Sequence, residues 1–351
     1  MSAARVFALL CAALLLPGCS ALSYYWQAFN GQMEVRRLSR PVEAVLADTA
    51  TGAELKRKLA YALRVRDFAG RELGLPDNRS YRLYADLQRP YVVWNVFAAP
   101  ELSLELKTQC FPVAGCVPYR GYFSKEAAEA RAAEMRVAGD DVHVGGVPAY
   151  STLGWFDDPL LNTFIGYPDL EIARLIFHEL AHQVAYVKDD AAFNESYAVA
   201  VEEEGIKRWA KAHAGAAEMR SYEAFKGRQR ELVALLMNAR TALADVYAKR
   251  ADDTTRRVGK ARVIETLKAE YETLKGGWSL NPDEAKRYDD WFYRDLNNAR
   301  LGSVAVYTEY VPMFARLIAR EGGDMQQFHA AVKALAALSR EDRIKRLAFS
   351  P

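Results

Sequence analysis

The chain has 351 residues, of which 51% are hydrophobic and 26% are charged. This length and composition predict one large or two modest globular cores. The net charge of +2 comes from lysines and arginines scattered among nearly equal numbers of acids, without a dense basic block, so nucleic acid is not an expected partner.

The N-terminus has the layout of a secretory signal peptide. Arg5 precedes an apolar run from Val6 to Leu16, which is too short to span a bilayer. Leu16-Pro17-Gly18-Cys19 resembles a bacterial lipobox, which implies that residues 1–18 are removed and that Cys19 is lipidated. Because Ser20 is not the aspartate associated with inner-membrane retention, we expect an outer-membrane anchor that faces the periplasm. A simple cleaved signal is the alternative.

The cysteines fit an envelope protein. Cys11 leaves with the signal peptide and Cys19 is acylated, so Cys110 and Cys116 remain. Their spacing predicts a small disulfide loop in an oxidising compartment. A zinc site built on this pair is the weaker alternative, because no Cys or His pair lies nearby to complete four ligands.

The part before residue 169 mixes helix and strand. A capping-box pattern at Thr51–Glu54 starts a helix that Gly74 and Pro76 end, and a second helix is predicted over Lys125–Val137. The predicted strands are a pair at Tyr81–Leu87 and Tyr91–Phe97, and a later one at Val142–Tyr150. Pro148 favours an edge position for the last strand, where it could bind a substrate backbone, although a loop is equally compatible.

The segment His178-Glu179-Leu180-Ala181-His182 carries the clearest chemical signal. Apolar residues recur around it at spacings of three and four, which predicts a helix from about Asp169 to Lys188. Positions i and i+4 share a helix face, so both imidazoles can bind one cation. Glu179 lies beside them, where it can act on a metal-bound water.

Two imidazoles leave zinc under-coordinated, because catalytic zinc sites take three protein ligands. The nearest candidate for the third is Glu195, which opens a predicted second helix through Glu204. His-Glu-x-x-His followed by Asn-Glu-x-x-Ala resembles the gluzincin metallopeptidases over about residues 169–205. Twelve residues lie between His182 and Glu195, a shorter gap than is usual in that superfamily.

The resemblance implies that His178, His182 and Glu195 bind one Zn²⁺ per chain and that Glu179 is the general base. Almost the whole mature chain also resembles a family of predicted bacterial aminopeptidases with a lipoprotein signal. Three segments carry this wider resemblance, Tyr119–Phe123, Gly145–Thr152 and Asn297–Leu301. The family places tyrosine or histidine oxyanion donors in the second lobe, which makes Tyr307 the candidate donor; buried packing is its alternative role, as it is for Tyr310.

The chain after Glu202 is helical in pattern. Apolar stripes from Leu232 to Val246 and from Ile264 to Leu274, separated near Asp252-Asp253, predict a long antiparallel hairpin. The predicted fold is therefore α+β, with a signal peptide at 1–18, an N-terminal α/β lobe at 19–168, and the zinc-binding helices with a helical C-terminal lobe at 169–351.

The predicted function is that of a zinc-dependent peptidase, an aminopeptidase that acts on peptides in the cell envelope. A zinc endopeptidase is one alternative, and a non-catalytic zinc-binding lipoprotein that scaffolds partners is another. Glu179 favours the enzyme, because a binding protein has no need of a general base. The acid that would hold the substrate amine is left open among Glu202, Asp157 and Asp158.

Overall fold

The computed structural model of the chain describes residues 22–111, 115–305 and 310–348. The predicted signal peptide, Cys19 and Tyr307 lie outside them. The helices, in chain order, are α1 (22–38), α2 (Val42–Ala47), α3 (Ala53–Leu73), α4 (Lys125–Val137), α5 (Asn162–Ile165), α6 (Asp169–Ala181), α7 (Ala191–His213), α8 (Ala216–Ala248), α9 (Asp253–Gly276), α10 (Pro282–Tyr293), α11 (Asn298–Ala305), α12 (Val311–Arg320), α13 (Met325–Ala336) and α14 (Arg340–Ala348). Of these helices, none has the length and apolar content needed to cross a membrane.

The strands lie in the N-terminal half and form small sheets. They are β1 (Arg40–Pro41), β2 (Leu83–Ala85), β3 (Val93–Pro100), β4 (Gln109–Phe111), β5 (Gly115–Val117), β6 (Arg120–Tyr122), β7 (Asp140–Val147) and β8 (Leu160–Leu161). The main sheet has the order β6-β3-β7 and is antiparallel, with a register that pairs Val93 with Val147 and Pro100 with Asp140. The fold class is thus α+β with a mostly helical C-terminal part, which confirms the prediction.

The predicted strand pair before the main sheet is wrong. β2 pairs with β1 and β8, whereas β3 pairs with β6 and β7. The connection between β2 and β3 does not form a hairpin, because Asn162 takes its backbone groups: the side-chain oxygen accepts from the Leu87 N–H at 2.8 Å and the amide donates to the Arg89 carbonyl at 3.1 Å. These bonds direct β2 towards β8, the strand that precedes Asn162.

The helix α3 ends as predicted but starts without the predicted capping box. Gly52 is its N-cap residue and no side chain caps this end. Asp48 forms a turn instead, in which its carboxylate accepts from the Ala50 N–H at 3.0 Å and its carbonyl accepts from the Thr51 N–H. Gly74 closes the helix at a φ of 62°, a left-handed conformation that favours glycine. The prediction for α4 is confirmed at both ends.

The main core packs α3, α6 and α7 against one another. α6 and α7 approach closely at Gly205, where a Cβ atom would lie 2.6 Å from the ring of Phe177 and 2.8 Å from Leu73. Only glycine fits at this contact, because any side chain would have to push the helices apart. The close approach brings the polar faces of α6 and α7 together at one end of the core.

The predicted helical hairpin is confirmed. α8 and α9 have 33 and 24 residues, and they are joined by a short turn in which Asp252 caps α9 by accepting from the Thr255 N–H. Their shared core contains the predicted apolar stripe, and it buries Leu232, Leu236, Ala239 and Leu243 of α8 with Leu267 and Tyr271 of α9. Most of the charged residues of both helices are exposed, whereas Lys226 and Lys260 are partly buried and pair with Glu202 and Asp141.

Candidate metal centre

The two motif histidines lie at the C-terminal end of α6. His178 is in the last turn, and His182 is the residue immediately after the helix, with φ −59° and ψ −23°. The helix is therefore shorter than predicted, since Val184 and Val187 follow it in a turn and an irregular stretch. His182 keeps helical dihedral angles, so its imidazole still projects from the same face as that of His178.

A loop clamp delivers the next helix to this face. The buried side chain of Asn194 accepts from the Val187 N–H at 2.7 Å and donates to the Val187 carbonyl at 2.8 Å. Asp190 caps α7 by accepting from the Phe193 N–H and forms a buried ion pair with Arg343 at 3.0 Å. These bonds fix the start of α7, and Glu195 follows directly after the clamp.

The structure brings the three predicted ligands together. Nε2 of His178 lies 3.3 Å from Nε2 of His182 and 3.4 Å from Oε2 of Glu195, and the third side of this triangle is 3.8 Å. A tetrahedral zinc ion with bonds of about 2.0–2.2 Å would place neighbouring donor atoms about 3.3–3.6 Å apart. Two sides of the triangle fall within this range and the third is slightly longer, so the two nitrogens and one carboxylate oxygen fit zinc in donor type and nearly so in spacing.

A buried ionic network supports His178. Its Nδ1 lies 3.0 Å from Oε2 of Glu202, which also accepts from Arg174 at 2.8 Å. Burial opposes the charge of Glu202, but the cation of Arg174 and the hydrogen bond with His178 lower the pKa of Glu202 to about 2. A carboxylate behind a ligand histidine fixes which ring nitrogen carries the proton, so Nε2 is left to face the metal. Nδ1 of His182, by contrast, is buried without a hydrogen-bond partner in the described part of the chain.

The network also changes the proton affinity of the histidines. Burial alone would lower the pKa of His178, but hydrogen bonds with Glu195 and Glu202 raise it to about 10. Burial lowers the pKa of His182 to about 4, because no carboxylate contacts it as closely. The pair of imidazoles therefore favours a single positive charge, which His178 carries. A bound divalent cation would supply positive charge to the same two carboxylates, Glu195 and Glu202.

Glu179 lies beside the ligands and lines the same cleft. It is buried, and the desolvation raises the pKa of its carboxyl to about 7, with the charge of His178 acting in the opposite direction. No described residue donates a hydrogen bond to it. A carboxyl group that is poised near neutrality and unengaged can both accept and return a proton.

The cleft has a volume of about 1370 Å³ and is lined both by the candidate metal ligands and by strands of the main sheet. Its lining also includes residues of α1, the β4–β5 hairpin, the loop after β7, and α6, α7, α8, α10 and α12. Tyr119 and Tyr186 line the same cleft as Glu195, and burial raises the pKa of both. The sequence did not predict them as candidate oxyanion donors, because nothing local distinguishes them among nineteen tyrosines. The predicted donor, Tyr307, lies outside the described residues.

The strand β7 forms an edge of the main sheet and reaches the cleft at Val147. Two of its outward-facing backbone groups are covered, since Asn297 donates to the Val142 carbonyl at 2.9 Å and Asp295 accepts from the Val144 N–H at 3.3 Å. Backbone groups alternate in direction along a strand, so Gly146 is the next residue that faces outward. The predicted edge thus ends at Val147, and Pro148–Tyr150 continue as a loop.

Residues left open by the sequence have structural partners. Asn298 is buried and donates to the Glu101 carbonyl at 2.8 Å. Glu202 lies behind His178 and is 2% exposed, so it is committed to the network. Asp158 is buried and accepts from the Thr152 N–H at 3.0 Å. Neither Glu202 nor Asp158 is therefore free to hold a substrate amine. Asp157, the third candidate, is exposed and lies 3.7 Å from Arg79.

Cys110 and Cys116 are joined by a disulfide across the β4–β5 hairpin. The hairpin packs against the loop before α7, where the Cys116 N–H donates to the carboxylate of Asp189 at 2.5 Å. Phe111 and Val117 of the same hairpin line the cleft. The disulfide therefore braces the outer side of the loop that positions Glu195.

The fold and the site define an α+β protein with a candidate His₂Glu metal centre in a cleft beside an edge strand. The chain matches the model of the family described as "Putative aminopeptidase" over residues 23–347, and it belongs to this family. Comparison with curated proteins and with solved structures finds no match. The family description indicates a peptidase.

Proposed function

We propose that this protein is a zinc-dependent aminopeptidase that hydrolyses peptides in the bacterial cell envelope. The observation that carries the proposal is the convergence of His178, His182 and Glu195 at zinc-like spacing, with unengaged Glu179 beside them. Acylated Cys19 would tether the enzyme to the outer membrane, facing the periplasm. The lipobox-like segment and the disulfide at Cys110–Cys116 support this location, because disulfides persist in oxidising compartments.

Each step of the proposed hydrolysis is assigned to particular residues of the chain. Zinc, when bound, polarises a peptide carbonyl and makes water more acidic. Glu179 accepts the proton of the attacking water on its carboxylate and returns it to the departing amine nitrogen. The phenol of Tyr119 or Tyr186 donates a hydrogen bond to the developing oxyanion. Glu202 holds His178 in the tautomer that the metal requires.

The blocked edge of β7 favours an exopeptidase over an endopeptidase. An endopeptidase has to accommodate substrate on both sides of the bond, and a continuous strand edge serves this purpose. Here Asn297 and Asp295 cover the outward-facing groups at Val142 and Val144. A bound peptide can therefore pair at Gly146 but cannot continue along the strand, which suits a short segment before the cleaved bond.

The test uses the chain from Ser20 onwards and a matched pair of tetrapeptides, one with a free N-terminus and one N-acetylated. We expect about one zinc per chain and release of amino acids from the free peptide alone. Glu179→Gln should lower turnover by roughly 10²–10⁴-fold while zinc content stays the same, because Glu179 is not a ligand. Glu223→Gln, an exposed change on α8, is the control and should leave turnover unaltered.

Each alternative gives a different result. Equal cleavage of the free and acetylated peptides would identify an endopeptidase. Bound zinc without turnover, together with identical behaviour of the chain and of Glu179→Gln, would identify a non-catalytic zinc protein. Absence of zinc after purification in the presence of the metal would contradict the whole proposal.

A further inference from the structure

The first helix carries an unusual apolar face. Leu22, Tyr25, Trp26 and Phe29 of α1 are 72%, 46%, 64% and 56% exposed. Their spacing of three and four places them along one side of the helix. The rings of Trp26 and Phe29 stack on each other with centroids 6.1 Å apart. We call these four residues the α1 stripe.

The opposite side of α1 is fixed to the body of the protein. Val35 is fully buried, and Gly31 lies so close to Phe123 that a Cβ atom would be 2.1 Å from its ring. Gln27 accepts from the Phe123 N–H at 3.0 Å, and the side chain of Gln32 is hydrogen-bonded to Tyr150. The helix cannot rotate to bury the α1 stripe without breaking these contacts, so the stripe faces away from the core.

We propose that the α1 stripe is a membrane-docking surface that inserts into the headgroup region of a bilayer containing anionic lipids. Tryptophan and tyrosine are enriched at membrane interfaces, where an apolar ring and a polar atom are both accommodated. Arg36 and Arg37 follow on the same side of α1 beyond the stripe, are exposed, and have no ion-pair partner among the described residues. Apolar rings followed by free cations match the order of acyl chains and anionic headgroups.

The position of the stripe in the chain supports a bilayer as its occupant. Leu22 lies three residues after Cys19, the residue predicted to carry the lipid. A lipid on Cys19 would keep the start of α1 within about 10 Å of the membrane surface, because each residue spans at most about 3.3–3.6 Å. The stripe would then lie within reach of the bilayer, although its binding to lipid does not depend on acylation.

A second copy of the chain fits the α1 stripe less well than a bilayer does. Each partner in a stable protein interface buries about 800 Å². Large apolar side chains offer about 150–250 Å² each, so four that are exposed by 46–72% present less than this area. A bilayer sets no such minimum, because binding strength scales with the inserted apolar area plus the attraction to anionic lipid.

Docking through α1 would also orient the active-site cleft. Tyr24 and Ala28, on the inner side of the same helix, line the cleft that holds the candidate metal centre. The inner side of α1 thus forms part of the cleft wall, and its outer side would contact lipid. Insertion of the stripe sets the cleft at a fixed height and angle relative to the membrane.

The experiment is vesicle co-sedimentation of the chain from Ser20 onwards, which lacks the acylated cysteine. Vesicles of phosphatidylcholine are compared with vesicles that also contain phosphatidylglycerol. We expect binding to the anionic vesicles, and the double variant Trp26→Ser with Phe29→Ser should bind at least about tenfold more weakly. Arg36→Gln with Arg37→Gln should weaken binding to anionic vesicles and leave the weaker binding to phosphatidylcholine unchanged.

The matched control is Trp155→Ser with Phe156→Ser, which removes the same two residue types from an exposed loop where they are 72% and 39% exposed. It should bind vesicles as the unmodified chain does. An equal loss in both double variants, or no binding by the unmodified chain, would overturn the proposal. If the stripe variant instead lowers the molar mass measured by light scattering without lipid, the occupant is a second copy.

Thermal unfolding separates a loss of vesicle binding from a loss of folding. The two residues of the first variant are exposed and their rings stack on each other, so the thermal unfolding temperature should change little. Should it fall, Leu22→Ser with Tyr25→Ser probes the other half of the stripe and must show the same loss of vesicle binding. Intact binding by that second variant would also refute the docking surface.

Discussion

The helix pair α6–α7 and the hairpin α8–α9 are both two-helix units, but they are held together in different ways. Between α6 and α7, buried charged groups are linked by short bonds, as in the chain from Arg174 through Glu202 to His178. The hairpin is instead held together by a buried apolar stripe, and most of its charged residues are exposed. A polar network admits one arrangement of its members, whereas an apolar stripe tolerates many side chains of similar size.

This difference predicts how sensitive each unit is to single changes. A buried polar group that loses its partner retains the full cost of desolvation. An exposed charge on the hairpin has solvent as its alternative partner, so its loss has little effect. Single substitutions in the two units test this contrast.

Asn194→Ala removes the clamp on the loop between α6 and α7. It leaves the buried Val187 N–H unpaired and removes one of the two hydrogen bonds of the Val187 carbonyl, which also accepts from the Asp190 N–H. The free energy of unfolding should therefore fall by about 2–4 kcal/mol. Urea unfolding measures this change. A loss below 0.5 kcal/mol, on the order of a neutral surface change, would show that the clamp does not hold the loop.

Asp158→Asn tests a carboxyl buried next to Gln183, just after α6. Burial raises the pKa of Asp158 to about 6, above its ordinary value of 3.8. The folded protein therefore binds this proton more tightly than the unfolded chain does, and the resulting stability is present below pH 3.8 and lost as the pH rises through 6. The asparagine variant lacks this loss, so its stability relative to the unmodified chain should grow by about 2–3 kcal/mol between pH 4 and pH 7.5.

The measurement for Asp158 is urea unfolding of both proteins at the two pH values. Taking the difference between the proteins cancels the titration of all other groups. A difference that stays constant with pH would mean that the carboxyl is solvated in the folded protein.

Glu202→Gln weakens the support of His178 without removing a metal ligand. The affinity for zinc, measured by competition with a chelator, should fall by about 10–100-fold. Glu204→Gln is the matched control two residues further along α7, because this glutamate pairs with Arg208 outside the site. Equal zinc affinity in the chain and both variants would contradict the supporting role of Glu202.

Arg262→Gln tests the contribution of an exposed charge on the α8–α9 hairpin. Arg262 is exposed on α9 and has no ion-pair partner in the described ranges. Its replacement should change the free energy of unfolding by no more than about 0.5 kcal/mol. A larger effect in a urea titration would mean that the outer face of the hairpin is covered by something in solution, and the contrast between the two units would weaken.

The sequence predicted best where a pattern is local. The periodicity of α8 and α9 determines both helices, because an apolar stripe needs no distant residue to define it. The spacing of His178 and His182 likewise predicts a shared helix face. The end of α6 was missed, because Val184 and Val187 continue the apolar pattern although the chain has already left the helix.

Features that depend on distant partners were not predictable. Arg343 contacts Asp190 across 153 residues, and no local pattern relates them. Glu202 was one of three candidates for holding the substrate amine, but its role depends on Arg174 of another helix. The supposed pairing of the strands before the main sheet failed for the same reason, since Asn162, about 75 residues later, redirects the connection.

Asp295 and Asn297, which cover the edge of β7, also protect this edge from pairing with other molecules. Exposed strand edges are templates on which other molecules can add a strand, and this is a common route to aggregation. Here side chains of the same protein occupy the outer rungs at Val142 and Val144, and Pro148 ends the ladder on the other side of Gly146. The edge that can receive one short peptide is therefore too brief to seed fibril-like stacking between neighbouring molecules.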